Sequence, residues 1–599
     1  MIIAVQGTYL GYIVGVQTSL ERRFEISSSQ IGILLSMYDI GHTITVLFVG
    51  YFGAQAHKPR VTAFATFLSG LAMFGLALPN FIYGAESYEE SFENHHDLYV
   101  NYSRCDTSRH PNVSDPLSSY CGRHIHIGAY AIMAISQLLA GAAAAPFNTI
   151  AYIYVDENVE RRNSPFYLGL FTSMYAFGPA LGFAFSALCN NLYSDLSVSS
   201  EITTKNPYWI GAWWLGFLIC GIAYLILCVP MVLFPKTFRP REKHREMADL
   251  QVQAATYGSH GSLYHRQLCV SCWDNLRGLP TFIFDLLKNP IYFSMMLAWI
   301  FGAYLVGGFG TYLPKYVESQ YQQTPSMSDI YAGIISIGSV ALSTALGGYL
   351  LTKFNIGPRH ASLLLLISWS VIIGTHVIAV AIGCDEVKLE GTQLTHDFWN
   401  FTTDCNTDCG CDSVRFFDPV CSVSTGKTFF SPCHGGCSGT MNGTLWSNCA
   451  CANESMVAPG LCAVDCSVGL PLYMVIMFVG LFAGNLFFMS TMMVILRCVD
   501  YDKRSLGLSF ASSCTNIFGF IPSPILFGYI IDSACTVWHS HCPKSGNCIL
   551  YDNKDFRYKY HLYNAMFQLL AVLSVAFTYI KSRTFKFPEE EDDEEYAFD

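Results

Sequence analysis

Few ionisable side chains lie inside the long apolar runs of this sequence, and those few could bind or move ions. Asp39 and His42 are three residues apart, so a helix would place them on one face, where a carboxylate can hold an imidazolium or accept from a neutral ring. His376 lies in a later apolar run. A charge in hydrocarbon costs about 3 kcal/mol or more without a partner, so all three are candidates for ion or substrate translocation. For the two histidines a structural hydrogen bond between helices is the favoured alternative.

A cysteine-rich stretch is the second feature with obvious chemistry. Eleven of the 23 cysteines lie between Cys384 and Cys466, a density typical of disulfide frameworks in an oxidising compartment. The lone pair Cys269 and Cys272 lacks the two further ligands that zinc needs. We therefore expect disulfides but neither a metal nor a cofactor. The cysteines expected in disulfides are Cys405, Cys409, Cys411, Cys421, Cys433, Cys437, Cys449, Cys451, Cys462 and Cys466.

The composition excludes several classes of function. The 599 residues are 52% hydrophobic and 13% charged, with a mean hydropathy of +0.33, and soluble domains carry about twice that charged fraction. The net charge is -11, but eight of the acidic residues lie in 589–599, so a polybasic nucleic-acid-binding protein is excluded. The sequence contains no Walker A loop, zinc helix motif or nucleophile elbow. We therefore expect a membrane protein that is not an enzyme.

Apolar runs long enough to cross a bilayer recur along the whole sequence. About 20 apolar residues cover the roughly 30 Å of hydrocarbon, and membrane helices tolerate the Gly and Pro residues within these runs. The predicted fold class is an all-α polytopic membrane protein with twelve transmembrane helices in the lipid bilayer. The predicted spans are 1–20, 30–53, 61–83, 125–150, 166–190, 208–234, 290–316, 329–352, 360–382, 468–496, 506–531 and 561–580.

Three sequence signals give the same orientation. Lys and Arg are denser in the loops that lie inside if the N-terminus is cytoplasmic. The dense cysteine cluster then lies outside. The glycosylation sequons also fall in outside loops. We therefore predict a multi-pass protein with N- and C-termini cytoplasmic. The sequon asparagines are Asn101, Asn112, Asn400, Asn442 and Asn453.

The spacing of the spans divides the chain into two halves. The long inside segment 235–289 separates six spans from six, which favours the 6+6 major facilitator superfamily fold with substrate bound between the halves. The predicted domains are a six-helix bundle at 1–234, the loop 235–289, a second bundle at 290–382 and 468–582, an extracellular module at 399–455 and an acidic tail at 583–599.

Several motifs identify a family. The run from Asn206 to Leu218, with Trp209, Gly211, Trp213 and Trp214, resembles the tryptophan-rich motif of the organic anion transporting polypeptide family of solute carriers. The run from Asp418 to Cys437 resembles the Kazal-like module that this family inserts between spans 9 and 10. Further matches are 21–24, 51–53, 58–60, 313–316 and 521–528.

The resemblance implies a function. Members of the family carry large amphipathic organic anions such as bile salts, steroid conjugates, prostanoids and thyroid hormones, independently of sodium, at the plasma membrane. Exchange for a counter-anion such as bicarbonate is expected. Asp39 stands where the family has an acidic residue, and Lys315 lies in a family motif at the level where an anion first meets the cavity. The alternative for Lys315 is a snorkelling helix anchor.

The sequence departs from the family where charge matters. By alignment, Asn516 replaces an arginine of span 11 and Val14 a lysine of span 1. A zwitterionic or neutral amphipathic substrate is therefore a second possibility. Asn80 stands where many members have a histidine linked to stimulation by external acid, and we expect little acid stimulation through this position.

Two motifs have a second interpretation. Trp213 and Trp214 could stack on a substrate, but anchoring and helix packing are favoured. The Kazal-like module could make the chain a cell-surface adhesion or protease-binding protein. A disulfide-stapled cap is favoured, because so short a segment needs staples to fold and one span would suffice as an anchor.

Overall fold

The protein is described by a computed structural model. The residues that it describes are 1–52, 57–84, 104–106, 127–159, 164–196, 204, 209–236, 283–354, 356–384, 387–395, 398–411, 414, 417–441, 445–452, 454–499, 504–538 and 546–585. The predicted domains 235–289 and 583–599 lie largely outside the described residues, as do Cys269 and Cys272.

The first helical group is built from long apolar helices. Charged residues are rare in them, except in the short helices Gln17–Phe24, with its Glu-Arg-Arg run, and Ile150–Asn158, which contains Asp156 and Glu157. Pro59 starts α4, where the missing N–H of proline costs nothing. The helices are α1 (Ile2–Gly15), α2 (Gln17–Phe24), α3 (Ser28–Phe52), α4 (Lys58–Ile82), α5 (Ile127–Asn148), α6 (Ile150–Asn158), α7 (Ser164–Asn190) and α8 (Trp213–Leu233).

The second helical group has more breaks within its helices. Pro290, Pro325 and Pro358 each start a helix, and short π-helical turns at Leu305–Gly310, Ile334–Gly338 and Asn516–Phe520 interrupt three long helices. The helices are α9 (Pro290–Tyr304), α10 (Thr311–Tyr321), α11 (Pro325–Gly333), α12 (Ser339–Lys353), α13 (Pro358–Val380), α14 (Gly469–Asn485), α15 (Met489–Arg497), α16 (Arg504–Thr515), α17 (Pro522–Asp532) and α18 (Asn553–Ser582).

Nine helices in the described residues are long and apolar enough to cross a membrane. They coincide with nine of the predicted spans, and two shorter apolar helices, Ile2–Gly15 and Phe177–Asn190, coincide with two more. The count of twelve therefore stays a prediction. The helix that contains the last predicted span, 561–580, begins earlier, at Asn553, where the Asp552 carboxylate accepts from the Asp555 N–H. The polar first turns of this helix had no apolar signal.

Each helical group has its own apolar core. One cluster of buried side chains includes Tyr12, Met73 and Phe217 of the first group. A second cluster, which includes Tyr316 and Tyr560, lies almost entirely in the second group. Val14 is partly buried against both clusters. The two groups are therefore separate packing units that touch along a narrow contact.

A disulfide module, residues 384–466, is inserted between α13 and α14 and contains β-strands, so the all-α prediction holds only for the helical groups. Its main sheet has the strand order β1-β5-β4-β8-β7-β6, and Val420, Phe429 and Trp446 form a small core. The strands are β1 (Lys388–Leu389), β2 (Thr392–Thr395), β3 (Phe398–Asn400), β4 (Val420–Ser422), β5 (Lys427–Phe429), β6 (Cys437–Met441), β7 (Leu445–Cys449) and β8 (Glu454–Pro459), while β9 (Cys535–Trp538) and β10 (Cys548–Tyr551) pair outside it.

Candidate functional site

The two helical groups meet near the end of the helices that carries the disulfide module, which we call the module end. There α3 packs against α17, and α7 packs against α11. A Cβ added to Gly32 would lie 2.3 Å from the Pro524 carbonyl oxygen, and one added to Gly528 would lie 2.4 Å from the Ser28 carbonyl oxygen. Only glycine permits so close an approach of the two backbones.

A buried ion pair joins the groups at this contact. The Lys315 ammonium pairs with the Glu21 carboxylate and donates to the Ser28 hydroxyl at 2.7 Å. Both charged side chains are 5% exposed, and the ammonium lies 5.2 Å from the centre of the Tyr551 ring. The sequence prediction placed Lys315 at the mouth of a cavity, whereas this conformation buries it, and its role in binding an anion stays a prediction.

Two further acidic groups link the same surfaces. Arg22 pairs with Glu318 and also donates to the Trp209 carbonyl oxygen at 3.1 Å. The Asp532 carboxylate accepts from the backbone N–H groups of Ser28 at 3.0 Å and Ser29 at 2.8 Å. Since these N–H groups begin α3, the end of α17 caps a helix of the other group.

The contact also contains a buried carboxyl group that has no cationic partner among the described residues. Asp329 of α11 is 1% exposed, and its Oδ2 lies 2.8 Å from the Ser186 hydroxyl and 2.9 Å from the Asn190 amide nitrogen of α7. The other oxygen, Oδ1, has no hydrogen-bond partner among the described residues. Sequence reasoning did not single out this residue, although it stands in a predicted span.

The distribution of these bonds shows which end is closed. Every hydrogen bond between the groups in the described residues involves the module end, and the deepest joins the Ser36 hydroxyl to the Ile521 carbonyl oxygen at 2.7 Å. The hydrogen bonds between described side chains of the two groups therefore hold them together at the module end.

The acidic candidate Asp39 lies on the part of α3 that contacts the second group. It is half-buried and stands one helical turn beyond Ser36 on α3, on the face that meets α17 and the turn Asn516–Phe520. His42 faces another way, because its Nε2 lies 3.2 Å from the Asn148 amide nitrogen of α5. Asp39 and His42 therefore have different neighbours. Among the described residues, no hydrogen bond joins their side chains.

The remaining histidine candidate belongs to a buried pair. His376 Nδ1 lies 3.0 Å from His561 Nδ1, and its Nε2 contacts the Asn564 amide. Both rings are fully buried and pack around Phe309. The contact joins α13 to α18 inside the second group, which fits the structural alternative for His376. His561 was missed, although His561, Asn564 and Gln568 repeat at helical spacing in an otherwise apolar run.

The positions that depart from the family occupy contrasting places. Val14 contacts both cores, whereas Asn516 is half-buried at the start of a π-helical turn that packs against α3. Asn80 is 7% exposed near the end of α4, and its side-chain oxygen has no partner among the described residues. Their effects on substrate charge and acid stimulation stay predictions.

The tryptophan motif packs the first group at its module end. The Trp209 ring N–H donates to the Asn190 carbonyl oxygen at 2.7 Å, and the Trp214 ring N–H donates to the Ser194 carbonyl oxygen at 3.0 Å. Trp213 is fully buried against Phe24. Gly211 has no room for a side chain, since an added Cβ would lie 2.6 Å from the Asn190 Cα. These contacts fit the packing interpretation.

The disulfide module is attached to both helical groups. Cys384 and Cys466 close its base, while Cys105, between α4 and α5, is bonded to Cys409 inside it. All ten cysteines predicted in disulfides are bonded. Asn400 is exposed. The sequon residues Asn101, Asn112, Asn442 and Asn453 lie outside the described residues.

Comparison with known proteins assigns the family. The model of the Organic Anion Transporter Polypeptide (OATP) family matches residues 1–556. The chain belongs to the OATP family. It is 29% identical to the mouse solute carrier organic anion transporter family member 4C1, over 92% of this chain and 76% of that one. It is 28% identical to the human family member 2B1, over 92% of this chain and 82% of that one.

Solved structures show the type of fold of this OATP-family chain. A bacterial homologue of the human lysosomal transporter Spinster, in an inward-facing and unoccupied conformation, matches 98% of this chain and 95% of its own, with a TM-score of 0.54 and 12% identity. The nucleoside transporter NupG matches 96% of this chain and 98% of its own, with a TM-score of 0.51 and 10% identity. The chain is a helical polytopic transporter with neighbours of the major facilitator type.

Proposed function

We propose that this OATP-family protein is a sodium-independent secondary transporter of large amphipathic organic anions, working by alternating access across the plasma membrane. Twelve spans with cytoplasmic termini would place the module outside the cell. Its substrates would be of the bile salt, steroid conjugate, prostanoid or thyroid hormone class, taken up in exchange for a counter-anion such as bicarbonate.

The single observation that carries the proposal is the one-ended contact between two separately packed helical groups. The bonds of Lys315, Arg22, Asp329 and Asp532 lie at the module end, and the other hydrogen bonds between described side chains of the two groups lie there too. Rocking two groups about a central site requires contacts that break on one side while others form on the other. A chain held at one end is in one of the two states of such a cycle.

The polar groups at this contact also indicate what could bind when the module end opens. Opening would separate Lys315 from Glu21 and Arg22 from Glu318, which exposes two cations and two carboxylates on facing surfaces. A cation released there would lower the cost of stripping water from a sulfate or carboxylate. The proposed preference for anions therefore rests on these two cations, since Asn516 and Val14 supply none.

The module is best explained as a cap on the transporter. It is bonded to the loop between α4 and α5 through Cys105 and to the second group through its own ends, and its small core relies on four internal disulfides, including Cys421–Cys462 and Cys437–Cys449. No contact in the described residues favours adhesion or protease capture over this role.

Uptake into oocytes tests the proposal. Labelled estrone sulfate, taurocholate, prostaglandin E2 and thyroxine should accumulate in oocytes that express the full chain, with sodium replaced by choline, and preloaded bicarbonate should increase the rate. We expect at least one of the four to exceed water-injected oocytes several-fold. If biotinylation shows the protein at the surface and none of the four solutes accumulates, the proposal is contradicted.

A module deletion separates transport from a binding role. Removing residues 388–462 keeps Cys384 and Cys466 available for their disulfide, and Cys105→Ser avoids an unpaired thiol. Cys105→Ser in the intact chain is the matched control. We expect the deletion to lower surface expression but to retain uptake per molecule at the surface. Cell-surface binding of a labelled solute that survives without accumulation would favour the binding role instead.

A further inference from the structure

We propose that Asp329 is a proton-binding site that couples closure of the module end to pH. The inference rests on the proposed alternating access, because the contact between α7 and α11 must then open and close. It concerns a residue that neither the sequence motifs nor the family resemblance singled out.

The first argument counts hydrogen-bond donors. The Ser186 hydroxyl lies 2.9 Å from the Phe183 carbonyl oxygen and 2.8 Å from Asp329 Oδ2. Since a hydroxyl carries one hydrogen, it cannot fully donate to both acceptors. A proton on Oδ2 satisfies both contacts, because the carboxyl group then donates to Ser186 and Ser186 donates to Phe183.

The neighbouring amide fixes the remaining bonds. The Asn190 amide nitrogen has two hydrogens, which go to the Gly15 carbonyl oxygen at 3.1 Å and to Asp329 Oδ2 at 2.9 Å. The Asn190 oxygen accepts from the Ser19 hydroxyl at 3.0 Å. Each hydrogen of Ser186, Asn190 and Ser19 in this network therefore has an acceptor, and none of them remains to donate to Asp329 Oδ1.

The second argument is the absence of a counter-charge. The charged groups on the neighbouring elements are Lys315 and Glu318 of α10, and Glu21, Arg22 and Arg23 of α2. The Arg23 guanidinium donates to the Gly84 carbonyl oxygen. Arg22 is taken by Glu318 and Lys315 by Glu21. On α1 and α7 the buried titratable side chains Tyr9, Tyr12 and Cys189 are neutral and pack in the core of the first group. An ionised Asp329, with one bare oxygen, would therefore be buried beside neutral donors and no cation within the described residues, which is the costly arrangement for a carboxylate.

Whether the Asp329 carboxyl group holds a proton depends on whether the module end is closed. Asp329 is shielded from water by the contact of α11 with α7, and outward opening would separate these helices and hydrate the carboxyl group. A hydrated aspartic acid has a pKa of about 4 and is therefore ionised at neutral pH. Closing the module end would thus take up one proton and opening would release it. Acid favours the closed state and alkali the open state, by at most about tenfold per pH unit for one proton.

Infrared spectroscopy of the purified full chain tests the proton directly. We expect the carbonyl stretch of a protonated carboxylic acid at pH 7.5 in the unmodified protein, and its loss in Asp329→Asn. Asp465→Asn, which removes an exposed carboxylate outside the helices, should leave the band in place. A band missing from the unmodified protein, or unchanged in Asp329→Asn, would overturn the proposal whatever transport assays show.

A second variant keeps the test valid if Asp329→Asn does not fold. Ser186→Ala removes the hydroxyl that accepts the carboxyl proton. We expect this variant to shift the same band to higher frequency, because a carboxylic acid with a weaker hydrogen bond has a stiffer carbonyl. A band at an unchanged frequency would contradict the assignment to Asp329.

Thiol labelling tests the coupling to opening. Ser328 is fully buried beside Asp329, so Ser328→Cys should react with an impermeant maleimide only when the module end opens. The rate is measured on the peptide that contains residue 328 and divided by the rate for free cysteine at each pH. We expect a rise of up to tenfold per unit between pH 6 and pH 8, and less than twofold when Asp329→Asn is added. An equal rise in both proteins would overturn the coupling.

Discussion

Glu21 and Asp329 are two buried carboxyl groups in the same contact between the helical groups, and they are held in opposite ways. Glu21 pairs with the Lys315 ammonium, and both side chains are almost fully buried. Asp329 is equally buried, but its hydrogen-bond partners among the described residues are a hydroxyl and an amide of the other group. The first site closes the module end with opposite charges, and the second closes it with neutral hydrogen bonds.

The difference lies in what remains when the contact opens. The attraction within the ion pair offsets the cost of removing both charges from water, and both charges are hydrated again when the contact opens. The net contribution of the pair to closure is therefore small, although the pair is specific for the two surfaces that meet. The carboxyl group at Asp329 gains charge on opening, so its contribution depends on pH. The ion pair can therefore fix how the two helical groups align, while Asp329 separately makes their contact depend on pH.

The largest expected effect comes from breaking the ion pair on one side. Lys315→Met leaves Glu21 buried without a counter-charge, which costs about 3–5 kcal/mol. We expect a clear loss of thermal stability in the purified protein and a larger open fraction by labelling at Ser328→Cys. The double variant Glu21→Gln with Lys315→Met removes both charges and should recover most of the loss. Equal stability of the single and double variants would show that the pair is not buried.

A smaller effect should follow from crowding the backbones beside the ion pair. Gly32→Ala places a methyl group 2.3 Å from the Pro524 carbonyl oxygen, which we expect to cost about 1–3 kcal/mol of closed-state stability. Gly374→Ala in α13 is the matched control, because an added Cβ there meets nothing within 4 Å. Thermal unfolding of the two variants measures the difference. A stable Gly32→Ala protein would mean that α3 and α17 lie further apart.

The ion pair of Arg22 and Glu318 should matter less than the more deeply buried pair of Lys315 and Glu21. Arg22 and Glu318 are 21% and 12% exposed, so solvent screens their attraction, and Glu318→Gln should cost about 1 kcal/mol or less. The measurement is the melting temperature at low and high salt. We expect the loss to shrink as salt rises. An effect as large as that of Lys315→Met would contradict the ranking by burial.

The smallest effect is expected at the neutral carboxyl group. Asp329→Asn keeps a group that can accept from Asn190 and donate to Ser186, so below pH 6 its thermal stability should lie within about 0.5 kcal/mol of the unmodified protein. Glu21→Gln, which breaks the charged site instead, should be clearly destabilising under the same conditions. Similar losses in both variants would erase the contrast between the two sites.

Much of the fold was predictable because the membrane imposes a length and a polarity on each helix. The starts at Pro290 and Pro358 follow from proline at the first helical turn, and the predicted disulfide region matches the bonded cysteines. The start of α18 was missed because its first turns are polar. The strands of the module were not predicted, since short strands held by disulfides lack a periodic apolar pattern.

The candidate site was predictable only in part. Lys315 and Glu21 stand in motifs 294 residues apart, and nothing in their local sequence indicates that they pair. Asp39 and His42 share a predicted helix, but the rotation of α3 that separates their neighbours is set by packing against α5 and α17. His561 repeats with Asn564 at helical spacing, a signal that could have been found.

The sequence by itself determined the family, the apolar helices and the disulfide framework, because these depend on residue types and short spacings. Only the tertiary structure decided which end of the helices is closed and which buried carboxyl group has a cation. Those properties depend on residues from distant segments meeting at one surface, such as Asp329 with Ser186 and Asn190. Their energies arise from desolvation and hydrogen-bond geometry, which exist only once the two helical groups are in contact.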